Sequence, residues 1–174
     1  MGSDFFADDC SRCADLCCVA YAFDKGEAFG LDKPAGAPCP NLRSCGGCII
    51  HDQRLERGFA GCISYSCAGA GQRVTQQMFA GASWRDDPAL IAPMSAALRQ
   101  TRRLHDWLQL LQEARKLPLS PDQSATATRL IGLLTPGDGL TAKWLERTVT
   151  DATKQSVMAF LASLRPLIQR APKQ

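Results

Sequence analysis

The sequence predicts a mainly α protein in two parts: a loop-rich cysteine module over residues 1–82, followed by a small antiparallel helical bundle over 83–174. Three observations carry this. All nine cysteines fall between Cys10 and Cys67, turn residues crowd the same stretch, and beyond Ala82–Asp87 the apolar residues recur at helical spacing.

Taken in order, Asp9 to Ala20 reads as a short helix. On a 3.6-residue period it places Cys10, Cys13 and Cys17 on one stripe, with Cys18 about a quarter-turn from Cys17. Residues 21–47 read as irregular, punctuated by Lys33-Pro34-Ala35-Gly36-Ala37-Pro38 and Ser44-Cys45-Gly46-Gly47. Ile49 to Arg57 is a second short helical candidate. Gly71 to Phe79 is a third, with Val74 and Met78 on one face. Asp86-Asp87-Pro88 then opens a longer helix with acidic caps and a first-turn proline. Its stripe runs through Leu90, Met94, Leu98, Thr101, His105, Leu108 and Leu111. Pro93 bends it or marks its true start, and Pro118 ends it. Ser120-Pro121-Asp122-Gln123 resembles a capping box, followed by an apolar face of Leu130, Leu133 and Leu134. Thr135-Pro136-Gly137-Asp138-Gly139 breaks that helix. A last stretch from Thr141 to Gln169 passes through Trp144, Leu145, Ala152, Phe160, Leu161, Leu164 and Ile168, with an interruption near Thr150.

Composition excludes several function classes. Residues 1–85 carry eight basic and nine acidic side chains, and residues 86–174 carry twelve and eight, so no nucleic-acid surface is expected on the cysteine half. No stretch approaches about 18 uninterrupted apolar residues, so no membrane span is expected. The opening Met1-Gly2-Ser3-Asp4-Phe5-Phe6 lacks the basic and apolar regions of a secretory leader, and a cytoplasmic location follows as the expectation. Reduced, clustered thiols in that compartment point to metal rather than to disulfides. An odd count of nine adds to this, because nine thiols cannot all pair within one chain.

Thiolates are soft, charged ligands that select zinc, iron–sulfur clusters or cuprous copper. Cys10/Cys13 and Cys45/Cys48 have the C-x2-C spacing at which one turn brings two sulfurs to one ion. Cys62 and Cys67 form a further close pair, and Pro38-Cys39-Pro40 is a rigid loop thiol. Adjacent cysteines fit one tetrahedral ion poorly, so Cys17 and Cys18 are expected to serve different metals or two edges of a cluster. His51, three residues after Cys48, is an additional ligand candidate, with capping or hydrogen bonding as its plainer role. His105-Asp106 reads as structural. Arg102-Arg103 and Arg115-Lys116 read as a solvated helix face, and Trp84, Trp107 and Trp144 as packing. Asp8, Asp9 and Asp15 read as helix caps or solvated carboxylates. Gly69-Ala70-Gly71 lacks the strand and lysine of a phosphate loop, and no Ser/His/Asp set marks a hydrolase, so no catalytic residue is assigned.

The run Cys10-Ser11-Arg12-Cys13-Ala14-Asp15-Leu16-Cys17-Cys18, then Pro38-Cys39-Pro40-Asn41-Leu42, Cys48-Ile49-Ile50-His51, Gly61-Cys62 and Cys67, resembles the CxxCxxCC-type cysteine-cluster proteins, a family associated with zinc or iron chelation. Phe59-Ala60-Gly61-Cys62 and Gly69-Ala70-Gly71-Gln72 also look like the cysteine-rich leader ahead of pentapeptide repeats in some bacterial proteins, although no such repeats occur here. The resemblance covers roughly residues 10–80. It implies eight metal ligands: Cys10, Cys13, Cys17, Cys18, Cys39, Cys48, Cys62 and Cys67. The chain departs from the family pattern by one extra residue between Cys13 and Cys17, and by Cys45, which has no counterpart.

The expectation is a non-enzymatic metal-binding protein, with zinc as cofactor, an iron–sulfur cluster as the alternative and copper(I) behind both. The helical half would meet an unidentified protein partner. An iron–sulfur redox or protein-modification component and a disulfide-bonded secreted protein are the competing readings.

Overall fold

A computed structural model describes residues 3–169. Met1 and Gly2, from which part of the leader reading is drawn, lie outside the described residues. The fold is mainly helical, as the sequence predicts. Among the described residues extended pairing is limited to two isolated antiparallel bridges, Phe23 with Lys33 and Leu42 with Cys48. No described helix is long and apolar enough to cross a membrane.

The chain divides into two compact units, Met1–Arg102 and Arg103–Gln174. This division falls later than the change in composition at Ala82–Asp87, inside one continuous helix.

The first unit is built of short pieces: α1 (Cys17–Ala20), α2 (Ala60–Ser64), α3 (Ala70–Arg73) and the opening turns of α4 (Ile91–Ala114). Single 3-10 turns at Ser3–Phe6, Cys10–Arg12, His51–Gln53 and Pro88–Leu90 join them. A π-turn at Val74–Met78 prolongs α3.

The expected helix from Asp9 to Ala20 does not form. Asp9 caps only the turn Cys10–Arg12, accepting from Ser11 N. Cys13 is extended, and Asp15 takes the left-handed conformation at φ 52° before α1 begins. A left-handed residue cannot continue a right-handed helix, so the single thiol stripe is split into two directions. The Ile49–Arg57 segment is helical only at His51–Gln53, and turns follow it. The third candidate forms, with Val74 fully buried.

α4 begins where its capping signals place it. Asp87 accepts from Ala89 N, and Pro88 opens a 3-10 turn that runs into Ile91. Pro93 sits in the first turn, where its missing N–H would have had no partner anyway. Of the stripe read from the sequence, Met94, Leu98, Thr101, His105, Leu108 and Leu111 are buried, its two polar members included, while Leu90, in the 3-10 turn before α4, is only half-buried.

The second unit holds the end of α4, then α5 (Pro121–Leu133), α6 (Ala142–Thr148), α7 (Asp151–Ser163) and α8 (Arg165–Gln169). Ser120 and Gln123 form the reciprocal capping box that opens α5. Burial on α5 follows Ala127, Leu130 and Leu134, while Leu133 is off that face and exposed. Thr150 caps α7 and makes the anticipated interruption. α5 packs against α7. Leu145, Val157, Phe160 and Leu164 complete the core, whereas Ala152 and Ile168 face outward.

Candidate metal centre

All nine cysteines are free thiols. Contacts between distant segments of the first unit tie several of the cysteine-bearing stretches to one another.

One set of contacts joins the segments of Cys13 and Cys67. The Asp8 carboxylate accepts from Cys67 N at 3.3 Å and from Gly69 N at 3.0 Å, and the Cys67 thiol lies 3.1 Å from its Oδ1. Burial pushes the Asp8 carboxyl up, but the Gly69 and Cys67 hydrogen bonds outweigh it and the pKa is lowered. Gly71 lies between two sulfurs. A Cβ built there would stand 2.7 Å from Cys13 Sγ and 3.6 Å from Cys67 Sγ. The buried Thr75 hydroxyl donates to Gly71 O at 3.0 Å and accepts from Ala14 N at 3.2 Å, tying the two segments together. Gln76 adds a bond to Arg12 O at 2.9 Å.

A second set gathers Cys18, Cys39, Cys48 and Cys62. Cys39 N donates to Cys18 O at 3.0 Å. The Leu42–Cys48 bridge brings the segments of Cys39 and Cys48 side by side, with Ile49 N on Asn41 O at 2.7 Å. Arg54 donates to His51 O at 2.7 Å and to Cys62 O at 3.3 Å, so one guanidinium joins the Cys48 and Cys62 segments.

Cys17 and Cys18 meet at 3.9 Å, sulfur to sulfur. Their shared hydrogen bond pushes the Cys17 thiol up and holds Cys18 down. Burial raises Cys13, Cys62 and Cys67 to about 11. Burial likewise raises Cys10 and Cys39. Negative charge on Cys18, Cys39 and Cys48 raises Cys62 further, and charge on Cys10 raises Cys13. The thiols thus lie within one another's electrostatic reach. Among the described residues, however, no three His, Cys, Asp or Glu side chains stand close enough together to hold a metal ion.

Cys45 is exposed, and its sulfur lies 4.0 Å from the neighbouring Gly46 carbonyl. His51 is exposed and pairs with Asp52 at 2.9 Å. His105 is buried within α4.

Lys33 and Arg85 were not singled out from the sequence, and Asp15, read there as a helix cap or solvated carboxylate, is instead held in a shielded ion pair. Lys33 is 3% exposed, and its ammonium donates to the carbonyls of Val19 (3.3 Å), Pro34 (3.1 Å) and Ala37 (2.8 Å). It lies 5.4 Å from the Phe23 ring centroid. Burial lowers its pKa, and thiolate charge on Cys39, Cys18 and Cys17 opposes that fall. Asp15 and Arg85 form an ion pair beside Trp84, whose indole N–H donates to Ala14 O at 2.6 Å. Only a cation found in the interior beside sulfur would have marked Lys33, and linear sequence does not carry that signal.

No family model matches the chain, and no solved structure matches it. A curated protein of Bacillus subtilis (strain 168), named "Uncharacterized protein YybG", is 40% identical over 112 residues, which is 64% of this chain and 40% of the relative. The chain therefore spans about 40% of the length of that relative.

Proposed function

We propose that this chain is a non-enzymatic metal-binding protein of the CxxCxxCC type, in which Cys10, Cys13, Cys17, Cys18, Cys39, Cys48, Cys62 and Cys67 hold zinc as thiolates. What supports this reading is the presence of eight free thiols, Cys10 to Cys67, on segments of one unit that are tied to one another by Asp8, Thr75, Arg54 and the Leu42–Cys48 bridge. The donor set fits a soft metal, being sulfur throughout. The scarcity of regular structure around it also fits, because thiolate-bound zinc organises loop-rich segments that cannot otherwise offset their chain entropy. Zinc is favoured over an iron–sulfur cluster because it needs only four converging ligands and no electron partner. Cys45 and His51 stay outside the ligand set, being exposed and engaged locally. The metal would be structural, stored or sensed in the cytoplasm, and the helical unit would dock a partner protein.

When bound, zinc would supply a fixed cross-link between chain segments. The residues of this chain do the rest. Asp8 and Thr75 hold the segments of Cys67 and Cys13, Arg54 holds those of Cys48 and Cys62, and Lys33 offsets thiolate charge.

Elemental analysis and an absorption spectrum of the full chain, purified without oxygen, test the proposal. Zinc in a colourless protein is the expected result. Iron with acid-labile sulfide and absorption near about 400 nm would replace zinc with a cluster. A metal-free protein with its cysteines in disulfides would overturn the reading.

A further inference from the structure

We propose that Cys17 and Cys18 form a two-thiol site for a monosubstituted trivalent arsenical, whose arsenic atom bridges the two sulfurs. This goes beyond the metal-binding reading and does not rest on it, because two sulfurs suffice and no third ligand is drawn from the chain.

The pair is convergent as well as adjacent. Neighbouring side chains on a helix point about 100° apart and do not face each other. Cys17 and Cys18 lie side by side in α1, yet their sulfurs meet at 3.9 Å. Among the described residues this is the one contact between two sulfurs. The backbone beneath them is held. Cys18 N donates to Asp15 O at 3.0 Å, and Cys18 O accepts from Cys39 N at 3.0 Å. Val19 O accepts from Gly36 N at 2.8 Å and from the Lys33 ammonium at 3.3 Å. Leu16, Val19 and Ala20 are buried on either side. The two thiols are only half-buried, so a small reagent reaches them. A pair already held in place loses little freedom when it is bridged.

The spacing selects what can join the two sulfurs. A direct bond needs them about 2.05 Å apart, on Cα atoms that are usually about 4.4–6.8 Å apart. The trans peptide between Cys17 and Cys18 holds their Cα atoms at about 3.8 Å, so a direct disulfide would distort α1. One bridging atom spans the 3.9 Å gap without that closure. A tetrahedral ion would need two more ligands, and among the described residues no three His, Cys, Asp or Glu side chains stand close enough together to hold a metal ion. A trivalent arsenic atom that already carries an aryl group has two positions left. Its bonds are bent, so two neighbouring sulfurs complete it. Arsenic is a soft acceptor and prefers sulfur to oxygen, as the soft metals do. In the step, two arsenic–sulfur bonds form and the arsenic–oxygen bond breaks. The oxygen leaves as water with the two thiol protons. Arsenic stays trivalent, so no oxidant or reductant takes part.

The test adds one equivalent of phenylarsine oxide to the full reduced chain in the presence of excess monothiol. Intact-mass spectrometry should show one adduct per chain. Alkylation in denaturant with chelator, followed by peptide mapping, should find Cys17 and Cys18 alone protected. Protection of any other pair, or an adduct that the monothiol strips, overturns the proposal. This mapping on the wild type decides the site even where a serine variant fails to fold. Cys17→Ser and Cys18→Ser should each weaken retention by about a hundredfold or more, because a single thiol loses the chelate. Cys45→Ser should retain the adduct as the wild type does. Retention should fall by about tenfold when the titration is repeated in urea, where the pair is no longer held. Equal retention in urea would show that the fold does not build the site. Metal content is measured on the same sample. A metal-free chain that forms the adduct overturns the metal-binding reading and leaves this one standing. A zinc-loaded chain that does not form it does the reverse.

Discussion

Arg85 Nη2 meets Asp15 Oδ2 at 2.7 Å, with both side chains mostly shielded from solvent. Asp15 is the residue that turns the chain between Cys13 and Cys17, at φ 52°. Its carboxylate also accepts from Gly47 N at 3.3 Å. The guanidinium stacks 4.5 Å from the Trp84 ring centroid. One ion pair thus holds a left-handed residue at the point where the helix expected from Asp9 to Ala20 is broken.

Arg85→Ala leaves the Asp15 carboxylate shielded without its cation while keeping the chain otherwise intact. The expected loss is about 1–3 kcal/mol of stability, since a shielded charge without its partner costs about that much. Urea unfolding of the full chain measures it. An unchanged midpoint would show that the turn at Asp15 holds without Arg85.

Gly71 is limited by sulfur rather than by backbone conformation. A methyl group there would sit 2.7 Å from Cys13 Sγ. Gly71→Ala must therefore displace the half-buried Cys13 thiol and is expected to cost about 1–3 kcal/mol. Gly26→Ala is the control, because a Cβ there meets nothing within 4 Å. Its effect should stay within about 0.5 kcal/mol. Thermal unfolding of the two variants side by side decides whether Cys13 Sγ packs directly against Gly71.

The helical half was legible because its signals are local. Ser120 with Gln123, Asp87 before Pro88, and Thr150 at the break all act within three residues of where they stand in sequence. The α4 stripe was legible through its period, even where Thr101 and His105 occupy it. The cysteine half resisted the same method. Periodicity from Cys10 to Cys17 suggested a helix, but Asp15 breaks it through partners at Gly47 and Arg85, far along the chain. Lys33 was unremarkable in sequence because its burial depends on carbonyls of Val19 and Ala37. Where tertiary contacts rather than neighbours set a conformation, pattern reading has nothing to read. Residue types survived that loss, because sulfur keeps its chemistry wherever the chain carries it.

The metal-free protein should lose stability as pH rises from about 9 toward about 11. Cys13, Cys62 and Cys67 have folded-state values raised to about 11, above the ordinary 9.0 of an exposed thiol. Between those limits the folded chain binds more protons than the unfolded one, so the free energy of unfolding falls with rising pH. Below about 9 the contribution is fully present. Metal-loaded protein has already released these protons and should show no such decline in that window. Urea midpoints at pH 8, 9 and 10, with and without zinc, check this under reducing conditions. A flat profile for the metal-free chain would mean that these thiols are not shielded.

Opposite lesions should separate the two units. Ser120→Ala removes a cap that accepts from Gln123 N at 3.3 Å, and it should cost about 1 kcal/mol while leaving zinc content unchanged. Cys13→Ser or Cys62→Ser removes a thiol from the first unit and should expose residues up to about Arg102 to protease. The core of Leu130, Leu134, Leu145, Val157 and Leu164 contains no cysteine and owes its burial to helix packing. Limited proteolysis followed by mass spectrometry should therefore recover fragments from the second unit with its helical signal retained. If both halves are digested together in the cysteine variants, the second unit does not stand without the first. If neither half becomes more sensitive, the thiols do not organise the loops around them.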